Sequence, residues 1–157
     1  MKLSEIKKLL ADGQIQLTKS LGQNFLHDGN QLRRIVRAAA LGKEDKVLEV
    51  GPGLGPLTEL LLETAGHVLA IEKDRRLVQM LADRFRDQIG ILAQGDGHLE
   101  LVHDDALEFI RREGRDWGKW KLVANLPYTV ASPILVELAK SRSGPERMGA
   151  AGACRRQ

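Results

Sequence analysis

The sequence predicts an α/β fold built on a parallel sheet, and two observations support this prediction. Short apolar runs rich in β-prone residues alternate along the chain with segments whose apolar residues recur at helical spacing. The run at 46–50 leads directly into a turn in which Gly51, Gly53 and Gly55 alternate with other residues. A strand followed by a glycine-rich turn and a helix is typical of the first βα unit of nucleotide-binding sheets.

The first part of the chain predicts a helix, a long loop and a second helix. Leucine and isoleucine at positions 3, 6, 9 and 10 have helical spacing. The loop at 11–29 has little periodicity, and loops of this length are usually functional or disordered. Asp28 or Asn30 is placed to cap a helix over 31–41, which Gly42 ends.

The middle of the chain alternates between strands and helices. Pro56 stands at a helix N1 position, Asp74 is placed to cap the next helix, and Ser132 with Pro133 marks the start of the last one. The four predicted strands cover 46–50, 68–72, 99–103 and 121–125. A sheet of only four strands would leave unpaired backbone groups exposed at an edge where further strands are expected. Residues 148–157 lack strand periodicity, so we expect no fifth strand.

Composition excludes some classes of protein. The chain has 157 residues, a net charge of +3 and one cysteine, Cys154, so we expect no intrachain disulfide and a cytoplasmic location. No apolar stretch reaches the roughly 20 residues that span a bilayer, which predicts no membrane association. The four histidines lack metal-ligand spacing, which predicts no metal site. The helix predicted over 31–41 exposes Arg33, Arg34 and Arg37. This exposed face is either solvated or contacts phosphates.

Two carboxylates follow the second and third predicted strands. Glu72 lies about 20 residues beyond Gly51, where an acidic side chain can accept hydrogen bonds from a ribose diol. Asp105 follows strand three at the same edge and could accept from the amine of an adenine. Together they favour an adenosine-containing cofactor. An NAD-dependent oxidoreductase remains an alternative, although the glycine spacing differs from G-x-G-x-x-G and Glu49 is not expected in a dinucleotide site.

The tetrapeptide Asn125-Leu126-Pro127-Tyr128 follows strand four. The exocyclic nitrogen of adenine is a poor nucleophile, because its lone pair is delocalised into the ring. An amide oxygen and a backbone carbonyl that accept its N–H groups would localise that pair. Proline removes a donor and fixes the turn, and a tyrosine face can stack on an extruded base.

Four segments together resemble the family of small-subunit rRNA adenine dimethyltransferases, which is associated with kasugamycin sensitivity. They are KSLGQNFL at 19–26, LEVGPGLGPLT at 48–58, Glu72 in AIEKD, and NLPY at 125–128. DDAL at 104–107 matches the family's G-D-A-L, with Asp104 in place of glycine. Leu126 favours the small-subunit group over the related large-subunit family, which more often has N-I-P-Y.

The resemblance implies a Rossmann-like class I methyltransferase sheet that uses S-adenosylmethionine. The sheet is expected to be incomplete, with about four parallel strands and no C-terminal helical domain. Implied regions are an N-terminal helix and cofactor-covering loop (1–30), a partial cofactor-binding core (31–140) and an aberrant or disordered tail (141–157). The implied cofactor-binding residues are Asn24, Leu26, Gly51, Gly53, Glu72, Asp105 and Asn125, and the implied catalytic residues are Asn125, Leu126, Pro127 and Tyr128.

The implied activity is N6,N6-dimethylation of two adjacent adenines near the 3′ end of small-subunit (16S) rRNA. The implied partner is the immature 30S subunit, and we expect a monomer that acts in ribosome biogenesis. Because family members continue through further strands and a helical domain, we expect this chain to be C-terminally truncated. A non-catalytic RNA-binding or assembly factor on the same fold is the remaining alternative.

Overall fold

The structure is a computed structural model, which describes Lys8, Ala11 and residues 29–89, 98–126, 128–140 and 147–150. For Tyr128 and residues 147–150 only the backbone is described. The predicted helix at 3–10 and the loop that follows it lie outside the described residues, apart from Lys8, Ala11 and Gly29. Residues 151–157 of the predicted tail also lie outside them.

The described strands form one parallel sheet, in the order β3-β2-β1-β4-β5. They are β1 (Lys46–Val50), β2 (His67–Glu72), β3 (His98–His103), β4 (Trp120–Ala124) and β5 (Arg147–Ala150). The first four match the predicted strands to within one residue. The strand order reverses direction at β1, between β2 and β4, and ligands bind at the carboxyl ends of strands beside such a switch point.

The fifth strand corrects the prediction that the chain forms no strand after 140. β5 pairs in parallel with β4, and Ala150 lies opposite Ala124. The sequence RMGA has neither alternation nor strong β-propensity, so the pattern gave no signal. β4 offers unpaired backbone groups at its outer edge, and strand pairing depends more on such context than on intrinsic propensity. β5 falls within the segment 141–157, and the description of that segment as an aberrant or disordered tail stays a prediction.

Helices cover both faces of the sheet, as a buried parallel sheet requires. They are α1 (Gly29–Ala39), α2 (Pro56–Thr64), α3 (Arg75–Arg84), α4 (Ala106–Arg112) and α5 (Tyr128–Lys140). Leu32, Leu61 and Leu81 of the first three pack on one face, and Phe109 and Ile134 of the last two pack on the other. None of the described helices is long and apolar enough to cross a bilayer.

The ends of the helices confirm two predictions and correct two. Pro56 opens α2, and the Asp74 carboxylate accepts from the Arg76 amide at the start of α3, as predicted. Of the two predicted caps of α1, Asn30 lies inside the helix, and Asp28 lies outside the described residues. α5 begins at Tyr128, and Pro133 lies within it. Serine followed by proline is typical of a helix N-cap and N1 position. Packing of Ala131 and Ile134 against the sheet nevertheless favours the longer helix.

Candidate functional site

A pocket of about 250 Å³ opens at the carboxyl edge of the sheet, close to the lower end of the range for small-molecule sites. It lies between the ends of β1, β2 and β3 and the first turns of α5. Its polar lining comes from Glu72, Lys73, Asp104 and Asp105, and its apolar lining includes Val50, Ile71, Leu107 and Ile134. Gly51 and Leu126 also line it. Four residues predicted from separate stretches, namely Gly51, Glu72, Asp105 and Leu126, therefore meet in one pocket.

The glycine turn between β1 and α2 has a conformation that disfavours any side chain. Gly51 and Gly55 have φ angles of 65° and 89°. A Cβ atom on Gly51 would lie 2.8 Å from Cδ2 of Leu126, and one on Gly55 would lie 2.6 Å from the Phe85 ring. The turn is thus in close contact with the tetrapeptide after β4 on one side and with the end of α3 on the other.

Glu72 connects the end of β2 to this turn. Its side chain is buried, and the residue is 7% exposed. One carboxylate oxygen accepts from the Gly53 amide at 3.1 Å, and the other accepts from the Asp74 amide at 2.9 Å. Burial raises the pKa of Glu72 above the usual glutamate value, and these two amides act in the opposite direction. The Lys73 amide also interacts with this carboxylate, and of its roughly four acceptor sites at least one remains for a ligand hydroxyl.

Asp105 has a structural and a pocket-facing role. Its Oδ1 accepts from the Glu108 amide at 3.2 Å and so caps α4, which the sequence analysis did not predict. Its Oδ2 lies 3.4 Å from the Lys73 ammonium at the pocket. Because the Lys73 side chain is 80% exposed, this ion pair is weak and a ligand amine can replace it at little cost. Sequence patterns did not indicate a role for Lys73, which follows Glu72 at an ordinary surface position.

Asp104 occupies the position at which the family that this sequence resembles usually has glycine. Its amide donates to the Glu72 carbonyl at 3.1 Å, which joins the ends of β2 and β3. Its carboxylate accepts from the Asp105 amide at 2.8 Å and forms an ion pair with Arg112. These contacts hold the Asp104 side chain against the N-terminal turn of α4 and against Arg112. The Asp105 carboxylate thereby keeps its orientation beside the pocket.

Glu49 lies beneath the glycine turn, on the face of the sheet covered by α2. It is 1% exposed, and one of its carboxylate oxygens accepts from the Thr58 hydroxyl at 2.6 Å. Burial raises the pKa of Glu49 to about 8, and the nearby Glu72 carboxylate contributes to this rise. Glu49 is therefore protonated at neutral pH. Glu49 is an unusual residue for a dinucleotide site, and the sequence pattern predicts no role for it.

The structure tests the remaining predicted site residues only in part. Asn125 follows the last residue of β4 and is half-buried, but it is not among the described residues that line the pocket. Leu126 is buried against Gly51. Tyr128 opens α5, and its side chain lies outside the described residues, as do Asn24, Leu26 and Pro127. Their predicted roles stay predictions.

Comparison with known proteins identifies the family. A model of the family described as "Ribosomal RNA adenine dimethylase" matches residues 14–150. The chain belongs to this family. It is 45% identical over 141 residues to the ribosomal RNA small subunit methyltransferase A of Nocardia farcinica, a match that covers 90% of this chain and 47% of that protein. The chain thus spans about half the length of the curated relatives that it matches.

Two solved structures of similar proteins have the same fold. A dimethyladenosine transferase from Plasmodium falciparum is 30% identical, with a TM-score of 0.58, and the match covers 76% of this chain and 40% of that one. The 23S rRNA methyltransferase ErmE is 29% identical, with a TM-score of 0.60, over 76% of this chain and 44% of that one. The predicted family and the class I methyltransferase fold are confirmed.

Proposed function

We propose that this chain forms the cofactor-binding core of an enzyme that uses S-adenosylmethionine to dimethylate N6 of two adjacent adenines near the 3′ end of small-subunit rRNA. The observation that carries the proposal is the meeting of the glycine turn, Glu72, Asp105 and Leu126 in one pocket. The names of the relatives support the rRNA substrate, because they include a small-subunit methyltransferase and a dimethyladenosine transferase.

The residues of the pocket fit an adenosine-containing cofactor. The Glu72 carboxylate would hold a ribose hydroxyl with its remaining acceptor capacity, and the Asp105 carboxylate would accept from the adenine amine. Apolar side chains, including Ile71 and Leu107, provide walls for a purine ring. When bound, S-adenosylmethionine supplies a methyl group that is already electrophilic, so the protein mainly has to align donor and acceptor.

The tetrapeptide after β4 would act on the acceptor adenine. The Asn125 amide oxygen and a carbonyl of Leu126 or Pro127 would accept the N–H groups of the target amine and localise its lone pair. Tyr128 would stack on the extruded base. The contact between Leu126 and Gly51 supports this arrangement, because it fixes the start of the tetrapeptide against the cofactor turn. No strong general base is needed, since the amine can release its proton after methyl transfer.

The test is Asn125→Ala, assayed with a tritiated methyl donor on immature small subunits. We expect loss of methyl transfer while affinity for S-adenosylhomocysteine is largely kept, because Glu72 and Asp105 remain to hold that ligand in the pocket. Gln79→Ala, which removes an exposed side-chain amide from α3, is the matched control and should retain activity. Unchanged turnover in the Asn125 variant would refute the role proposed for it.

Wild-type controls separate the alternatives. Transfer to large-subunit rRNA instead of small subunits would contradict the proposed substrate. Cofactor and RNA binding without any transfer would favour the non-catalytic assembly factor.

A further inference from the structure

The first described helix carries an unusual concentration of positive charge. α1 has the sequence GNQLRRIVRAA, with three arginines and no acidic residue. Leu32 and Ala39 are buried on its inner face, and Ile35 and Val36 pack beside them. At about 100° per residue, Arg33, Arg34 and Arg37 all fall within an arc of about 100° on the opposite side. We call these three residues the arginine stripe, and all three are exposed.

The stripe differs from most of the described arginines in its lack of partners. Within residues 29–89, 98–126 and 128–140, no carboxylate forms an ion pair with Arg33, Arg34 or Arg37. Most arginines elsewhere in those ranges are paired with a carboxylate: Arg76, Arg84, Arg86, Arg111, Arg112 and Arg115. The difference indicates that the stripe is not accounted for by interactions within the described fold.

A solvated helix face explains this arrangement poorly. Arg33 and Arg37 are an i,i+4 pair of like charge, and such pairs destabilise a helix by about 0.2–0.5 kcal/mol. An acidic residue at either position would remove this cost. A polyanionic partner would compensate for it, and the planar arginine fork is suited to paired hydrogen bonds with phosphate oxygens.

α1 packs beside the sheet, and the arginine stripe occupies its middle and last turns. α1 packs against α2, β4 and β5. The Lys121 ammonium at the start of β4 donates to the carbonyl of Ala40, just beyond the end of α1, at 3.1 Å. α1 therefore ends at the amino edge of the sheet. Arg37 lies in the last turn of α1, so the stripe extends from the middle of the helix to this end.

We infer that the arginine stripe binds the sugar–phosphate backbone of the RNA whose adenines are to be methylated. This inference rests on the proposed function for its RNA substrate, but it can be tested without measuring methyl transfer. Each phosphate contact releases counterions, so the observed binding constant should fall with salt by about 0.7–0.9 log units per contact for each log unit of salt.

The experiment measures binding of the chain to a fragment from the 3′ end of small-subunit rRNA, by filter binding at several salt concentrations. The test variant is R33Q/R34Q/R37Q. The matched control, R75Q/R86Q/R111Q, removes the same charge from exposed arginines on other elements. We expect the salt slope to decrease by about 2 in the stripe variant and by less than about 0.5 in the control. Equal changes in the two variants, or no RNA binding by the wild type, would overturn the inference.

A lysine variant and a membrane surface provide two further tests. R33K/R34K/R37K keeps the positive charge but lacks the planar guanidinium groups that make paired hydrogen bonds. It should therefore retain the salt slope and bind RNA less tightly. A lysine variant whose slope drops as far as that of the glutamine variant would contradict phosphate binding. Phosphatidylserine vesicles distinguish a membrane surface: if only vesicle binding, and not RNA binding, is lost in the stripe variant, the inference is wrong. A wild-type chain that binds RNA with the expected salt slope but transfers no methyl group would count against the proposed function alone.

Discussion

Replacing Glu49 with glutamine removes a buried proton-binding group without removing its hydrogen bond. The Thr58 hydroxyl donates to the Glu49 carboxyl at 2.6 Å, and the amide oxygen of glutamine can accept in the same way. Glutamine also matches the shape of the protonated acid. The substitution therefore isolates the effect of ionisation under the glycine turn.

The magnitude follows from the two pKa values of Glu49. Burial raises the pKa to about 8 in the folded chain, against an ordinary value of 4.5. Between these values the folded form keeps a proton that the unfolded chain has released, so the free energy of unfolding falls by about 1.4 kcal/mol per pH unit as pH rises. The contribution is fully present below pH 4.5 and is lost by about pH 8. Glu49→Gln should therefore be more stable than wild type by about 1 kcal/mol at pH 5 and about 3 kcal/mol at pH 7.

The assay is urea unfolding at pH 5, 6, 7 and 8, followed by tryptophan fluorescence, because Trp117 and Trp120 are both buried. Glu63→Gln, which changes an exposed carboxylate on α2, is the matched control and should follow the wild-type pH profile. Wild-type and Glu49→Gln profiles that run parallel from pH 5 to pH 8 would refute the buried, protonated state of Glu49.

Two further substitutions test the site and the turn. Glu72→Gln should weaken binding of S-adenosylhomocysteine at least tenfold by calorimetry, because hydrogen bonds to a charged group contribute about 1.5–3 kcal/mol; undiminished affinity would contradict its contact with the ribose. Gly55→Ala should lower the free energy of unfolding by about 2 kcal/mol or more, because its φ is 89° and the new Cβ would meet the Phe85 ring at 2.6 Å. Gly114→Ala, whose Cβ would meet nothing within 4 Å, is the control and should change stability by less than about 0.5 kcal/mol; an equal loss in both variants would contradict the strained turn.

Much of the sheet could be predicted because buried parallel strands have continuous apolar sequences. The strand pattern also placed Glu72 and Asp105 at one edge, since the carboxyl ends of parallel strands lie together. Both residues line the same pocket, as this rule requires. The strand patterns alone did not distinguish an S-adenosyl cofactor from a dinucleotide. The resemblance of the motifs to a known family favoured the S-adenosyl cofactor.

The features that were missed depend on contacts between distant parts of the chain. β5 forms because β4 has an open edge, and RMGA carries no signal of its own. The ion pair between Lys73 and Asp105 requires the relative positions of two strand ends. The protonated state of Glu49 follows from complete burial under α2, which an acidic residue in a strand sequence does not indicate.

Calorimetric titration of the chain with S-adenosylhomocysteine, and in parallel with NADH, tests the central claim most directly. The pocket beside Glu72 and Asp105 should bind S-adenosylhomocysteine with one-to-one stoichiometry and should not bind NADH. Binding of NADH alone, or of neither ligand by a chain that is shown to be folded, would contradict the assignment of this edge of the sheet to an S-adenosyl cofactor.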